Sequence, residues 1–188
     1  MTGFDPNAHL DFDVDTLSGM VPIRSVVFSV GSNLGDRLAY LQGAVDALRT
    51  TPELTVVDVS SVYETAPVGE VLDQPDFLNI IVRADATLAS LVLLDRAQAI
   101  EQHFKRTREV PGGARTLDVD LIAVGERVKH SPALTLPHPR AHERAFVLLP
   151  WLELDPGARV PERGPVRELL AGVDASGVRR RDDLVIDL

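Results

Sequence analysis

LDVDLIAV, residues 117–124, sets two carboxylates, Asp118 and Asp120, inside an otherwise apolar run. A short aliphatic run of this kind predicts a strand. In a strand, residues i and i+2 share a face, about 6–7 Å apart. Asp118 and Asp120 therefore point one way, while Leu117, Val119 and Leu121 point the other, toward a core.

Working back toward the N-terminus, the strand is the last of an ordered set. RSVVFSV (24–30) is β-branched and predicts a central strand, followed by GSNLGD as a turn and by RLAYLQGAVDALRT (37–50), apolar at helical spacing. TVVDVSSVYE (55–64) predicts a second strand. TAPVGEVLDQPD (65–76), rich in turn residues, is too long for a tight hairpin and predicts a functional loop. FLNIIVRAD (77–85) predicts a third strand and LASLVLLDRAQAIEQHF (88–104) a helix apolar along one stripe. A second irregular loop, KRTREVPGGART (105–116), leads into 117–124. The order β-α-β-β-α-β is that of a ferredoxin-like α+β sandwich, a mostly antiparallel sheet with helices packed on it. Beyond it the sequence predicts a short strand or hairpin near 127–136, a short helix within 136–151 and another at 166–172. Residues 1–22, with four aspartates and no lysine or arginine, read as a flexible acidic leader. The main domain is expected over 23–172, with 173–188 as a C-terminal extension.

Composition narrows the function. The chain has 188 residues, a formal net charge of −9 and no cysteine. Thiolate metal sites, disulfides and cysteine nucleophiles are therefore excluded. The negative balance argues against nucleic-acid binding. No apolar run reaches the ~20 residues of a membrane span, and no secretory signal is evident, so the expected location is cytoplasmic.

Two neighbouring carboxylates repel unless solvated, paired with arginine, or bridged by a hard cation such as Mg²⁺. Residues 105–115 hold Lys105, Arg106, Arg108 and Arg115 against one acid, Glu109, a local charge of +3 in a chain of −9. Guanidinium forks beside a carboxylate pair suit a phosphate–Mg²⁺ ligand, although Arg115 could simply neutralise Asp118. LPHPRAHERAF adds His138, Arg140, His142 and Arg144. H-E-x-x-H, G-x-x-x-x-G-K-[ST] and G-x-G-x-x-G are all absent. GSNLGD could cradle a phosphate at the following helix N-terminus, or its glycines could serve only the turn.

Four separated motifs then occur in order: GSNLGDR; Thr65, Pro67, Gly69, Gln74, Pro75, Phe77 and Asn79; ARTLDVDL; and LPHP…ER-AF-VL-P. Together, over residues 24–155, they resemble the 6-hydroxymethyl-7,8-dihydropterin pyrophosphokinase family. The resemblance implies a ferredoxin-like fold and transfer of diphosphate from ATP to the hydroxymethyl group of a reduced pterin, releasing AMP, with two Mg²⁺ ions. It implies that Asp118 and Asp120 hold the metal, and that Arg106, Arg108, Arg115, His138 and Arg144 contact phosphate. Gln98, Glu101 and Thr135 match adenosine-binding positions. Thr65, Ala66 and Val68 match a loop whose backbone meets the pterin. Asn79 would hydrogen-bond the pterin, Phe77 and Phe146 would sandwich it, and Gly31 would lie beside it. The chain departs from many members in reading VPGGAR where they carry R-W-G-P-R, losing a tryptophan, and from some in carrying Pro139 for an aromatic.

The implied partners are ATP and hydroxymethyl-dihydropterin, with no nucleic acid and no membrane, and the expected state is a monomer. The rival readings are a Mg²⁺-dependent nucleotide hydrolase and a non-catalytic ferredoxin-like ligand-binding module.

Overall fold

The computed structural model describes residues 21–67, 73–104 and 116–188. Five strands build the ferredoxin-like part: β1 (Arg24–Ser32), β2 (Leu54–Val59), β3 (Tyr63–Thr65), β4 (Phe77–Ala86) and β5 (Asp118–Val124), with helices α1 (Arg37–Arg49) and α2 (Ser90–His103) between them. Neighbours pair antiparallel, with β1 between β4 and β5, and with β2 and β3 both on the far side of β4. The single strand expected over 55–64 is two. Ser60 causes the break: its hydroxyl accepts the Ile81 N–H and its own N–H donates to the Ile81 carbonyl, each at 2.9 Å. A side chain thus replaces a backbone group in the ladder, and the chain turns outward before β3 resumes.

α1 starts where the sequence places it. Gly35 takes φ +66°, which a residue without Cβ adopts at no steric cost, and the Asp36 carboxylate caps the helix through Ala39 N–H at 3.1 Å. Leu41, Ala44, Val45 and Leu48 of α1, and Leu93, Ala97 and Ile100 of α2, are buried at helical spacing against one face of the sheet. There they meet Val26, Phe28, Val30, Leu78, Ile80, Val82, Val119 and Leu121.

Later elements cover part of the other sheet face. The chain runs on through the β6 (Lys129–His130) and β7 (Thr135–Leu136) hairpin and a 3₁₀ turn (Ala141–Glu143) into α3 (Ala145–Leu154). The β8 (Arg159–Val160) and β9 (Gly164–Pro165) hairpin and α4 (Val166–Ala171) follow. Val147, Leu148 and Trp151 of α3 and Val166 of α4 bury Val27, Ile81, Ile122 and Ala123. Residues 173–188, for which no element was predictable, contribute β10 (Val178–Arg180), which pairs with β3 and becomes the sheet edge beside it. Leu184 and Ile186 then pack against the α1–α2 core.

Candidate active site

Strand register places the predicted residues on the sheet face opposite α1 and α2, beside α3. One rung runs Tyr63, Asn79, Gly31, Asp118 across β3, β4, β1 and β5; the next runs Ile81, Ser29, Asp120 across β4, β1 and β5. The two aspartates share this face, while Val119 and Leu121 face the core, as alternation requires. Two strand spacings, about 10 Å in all, separate Asn79 from Asp118. The glycine between them leaves that span open. Gly31 lies within β1 rather than in the turn after it, and a Cβ there would stand 3.0 Å from Asn79 Oδ1 and 3.8 Å from the Phe77 ring.

Asn79 is buried, and its amide donates to Thr65 Oγ1 at 3.0 Å. Phe77 and Phe146 are both half-buried, the first opening β4 one rung from Asn79, the second in the first turn of α3. The Arg144 guanidinium lies 5.6 Å from the Phe146 ring centroid, a cation–π contact. Ala66 is exposed; Val68, Arg106, Arg108 and Arg115 lie outside the described residues.

On the carboxylate side a bulge does the positioning. The β1–β5 register slips so that Ile122 has no counterpart, and its carbonyl accepts the His138 N–H at 2.8 Å. This draws His138 Nε2 to 4.0 Å from Asp120 Oδ2, while Arg144 Nη1 lies 3.5 Å from the same oxygen. Burial pushes the His138 imidazole below its ordinary value, against the pull of Asp120. A cleft of about 240 Å³ opens beside Asp120, lined by Leu94, Val119, Ala133, Thr135, His138 and Pro139 among others.

Gln98, on α2, is exposed. Glu101 turns inward: it is 4% exposed, and its carboxylate accepts the Val119 N–H at 2.8 Å. That amide sits between the two aspartates on the outer edge of β5, so Glu101 holds the strand that carries them. At the loop ends, Thr116 Oγ1 donates to the Phe104 carbonyl at 3.2 Å, closing the base of the arginine-rich loop.

Sequence reasoning passed over Asn33 and Arg37. The Asn33 amide, almost wholly buried, donates to Gln74 Oε1 at 3.0 Å and to the Pro75 carbonyl at 2.9 Å. Arg37 Nη1 donates to the Asp76 carbonyl at 2.8 Å. Both hold the far end of the 65–76 loop. Their signal was present in GSNLGDR and in QPD, but only as motif letters without a partner.

A family model described as 7,8-dihydro-6-hydroxymethylpterin-pyrophosphokinase (HPPK) matches residues 27–156. The chain belongs to this family. It is 40% identical over 158 residues to a 2-amino-4-hydroxy-6-hydroxymethyldihydropteridine pyrophosphokinase of Pseudomonas aeruginosa, covering 84% of this chain and 97% of that one. A Mycobacterium leprae protein of the same name is 49% identical over 150 residues, covering 74% and 76%. Among solved structures, wild-type Plasmodium falciparum HPPK-DHPS with pterin and p-hydroxybenzoate superposes with a TM-score of 0.66 at 14% identity, over 87% of this chain and 47% of that one. That likeness shows the fold, and the chain spans about half the length of the solved protein. The pyrophosphokinase activity transfers diphosphate from ATP to hydroxymethyldihydropterin in folate biosynthesis. Among the described residues, no helix is long and apolar enough to cross a membrane, and no group of three His, Cys, Asp or Glu side chains could hold a metal ion.

Proposed function

We propose that the hydroxymethyl oxygen of the pterin attacks the β-phosphorus of ATP in line, on the open half of the sheet. A new O–P bond forms to Pβ as the bond from Pβ to the oxygen it shares with Pα breaks; AMP leaves with that oxygen, and the hydroxyl proton passes to solvent. The observation that supports this reading best is the shared rung: Asn79 and Asp118 face the same way across Gly31, about 10 Å apart. That span suits a flat bicycle with its reactive arm pointing at the carboxylates.

Asn79 reads the pterin edge, with its amide oriented by Thr65, and Phe77 and Phe146 supply aromatic faces for the ring. The backbone at Thr65, Ala66 and Val68 meets the pterin rim. The 240 Å³ cleft takes the adenosine end, with Thr135 at its wall and Gln98 and Glu101 on the adjoining helix. Arg106, Arg108 and Arg115 bind the triphosphate, joined by His138 and Arg144.

Asp118 and Asp120 would hold two Mg²⁺ ions, and the donor set fits. With no group of three His, Cys, Asp or Glu ligands among the described residues, two hard carboxylates would leave coordination positions for phosphate and water, which is how Mg²⁺ is usually held. Bound there, the ions supply positive charge against the triphosphate. The protein's remaining work is positioning and charge neutralisation, which carry most of phosphoryl-type catalysis. The 65–76 and 105–116 loops exclude water that would otherwise hydrolyse ATP. The catalytic unit spans 23–172, preceded by an acidic leader, and acts as a cytoplasmic monomer.

The test is AMP release from ATP, measured with and without hydroxymethyl-dihydropterin and Mg²⁺. Release that requires both supports the assignment. Phosphate or pyrophosphate released without pterin would make the protein a hydrolase, and pterin binding without turnover a binding module.

A further inference from the structure

One carboxylate at the rim of the pterin pocket is surrounded by arginines from outside it. Glu64 lies between Tyr63 and Thr65 but points to the opposite sheet face, and it is 7% exposed. Its Oε1 accepts from Arg37 Nη1 at 3.0 Å. Its Oε2 accepts from Arg181 Nη1 at 2.7 Å and from Arg179. Arg179 and Arg181 come from the C-terminal segment, where β10 pairs Val178 with Thr65, Arg179 with Glu64 and Arg180 with Tyr63.

The segment is itself tied down. The Arg181 N–H donates to the Val62 carbonyl at 2.8 Å, its guanidinium forks onto Asp183, and the Asp187 backbone exchanges two hydrogen bonds with the Gln42 amide. A buried carboxylate that meets several guanidinium groups fixes geometry as much as it adds stability. Here the geometry is that of the pterin loop. Arg37 bonds Glu64, just before Thr65 where the loop leaves β3, and also the Asp76 carbonyl, just before Phe77 where the loop rejoins the sheet. One guanidinium therefore joins both loop ends, and Glu64 is held in turn by the C-terminal arginines.

We propose that β10 and the residue after it, through Arg179 and Arg181 on Glu64, form a positioning strap for the pterin pocket that sets Thr65 and both ends of the 65–76 loop. This rests on the pyrophosphokinase reading. It gives the C-terminal segment a part in substrate affinity although none of its residues touches the reacting atoms.

The experiment uses the full chain and compares the wild type with Glu64→Gln, Arg179→Gln/Arg181→Gln and Arg179→Lys/Arg181→Lys. AMP release gives KM for each substrate, and thermal melts are run alongside. The glutamine variants are expected to raise KM for the pterin about tenfold while KM for ATP stays within about twofold. The lysine pair keeps the charge and is expected to recover most of that loss. An unchanged pterin KM in folded glutamine variants, or equal rises in both KM values, would overturn the strap. If the double variant does not fold, Arg179→Gln alone carries the same test, because that side chain is mostly exposed. A wild type without pterin-dependent AMP release sinks the activity reading instead, so the two failures are distinct.

Discussion

Two buried glutamates hold the two sides of the open sheet face, and they do so differently. Glu101 grips β5 through a neutral backbone amide, the Val119 N–H between the two aspartates. Glu64 grips β3 through arginine side chains brought from α1 and from the C-terminal strand. The first contact joins two consecutive elements of the ferredoxin-like core, α2 and β5. The second depends on a distant piece of chain and on charge. The aspartate side, proposed to hold metal, is therefore built into the core packing, whereas the side proposed for the pterin rests on ionic contacts that solution conditions can weaken.

The comparison breaks first at the aspartates. Asp118→Ala and Asp120→Ala should each lower kcat about a thousandfold, since a lost metal carboxylate removes several kcal/mol of transition-state charge stabilisation. The melting temperature should hardly change, because both side chains face the open cleft rather than the core. Near wild-type turnover in either variant would dismiss their metal role. On the pterin side, Gly31→Ala is sharper than any deletion. The added methyl would sit 3.0 Å from Asn79 Oδ1, so the amide must shift, and KM for the pterin should rise about tenfold with ATP affinity preserved. Equal kinetics would mean that Asn79 does not read the pterin.

Glu101 separates its two readings by chemistry. Glu101→Gln keeps an acceptor for the Val119 N–H, whereas Glu101→Leu strands that buried donor, at about 1–3 kcal/mol. Leucine should therefore lower both the melting temperature and kcat, with glutamine in between. If both variants change only KM for ATP and leave stability intact, Glu101 serves adenosine rather than the strand.

Legibility in the sequence followed the range of the interactions. The βαββαβ order and the shared face of Asp118 and Asp120 depend on alternation and helical spacing, which are local, and both are present in the structure. The break at Ser60 was not legible, because a serine hydroxyl entering a ladder looks like any strand serine until its partner, Ile81, is known. The bulge at Ile122 that sets His138 beside Asp120 was hidden for the same reason: bulges follow from cross-strand register. Glu101 matched an adenosine position by resemblance, yet its carboxylate also holds a backbone amide of β5, a contact between elements that no motif encodes. The run RRRDDLVIDL carried no periodicity, and its meaning lies in Glu64, more than a hundred residues away.

The smallest expected effect concerns pH, and it addresses the charge dependence of the pterin side directly. Burial opposes ionisation of Glu64, but hydrogen bonds from Arg179, Arg181 and Arg37 outweigh it and hold the carboxyl below its ordinary 4.5. A depressed folded value means that the stabilisation is fully present above the ordinary value and fades as pH falls through the lowered one. Among the described residues, the groups facing Glu64 are these three arginines, with Asp183 on the far side of Arg181. Thermal melts of wild type and Glu64→Gln from pH 7 down to about 3 should show a constant wild-type advantage above the ordinary carboxylate range and a shrinking one below it. An advantage that persists unchanged into acid would mean that Glu64 holds β3 by shape alone. The asymmetry between the two sides of the site would then lie in sequence distance and not in charge.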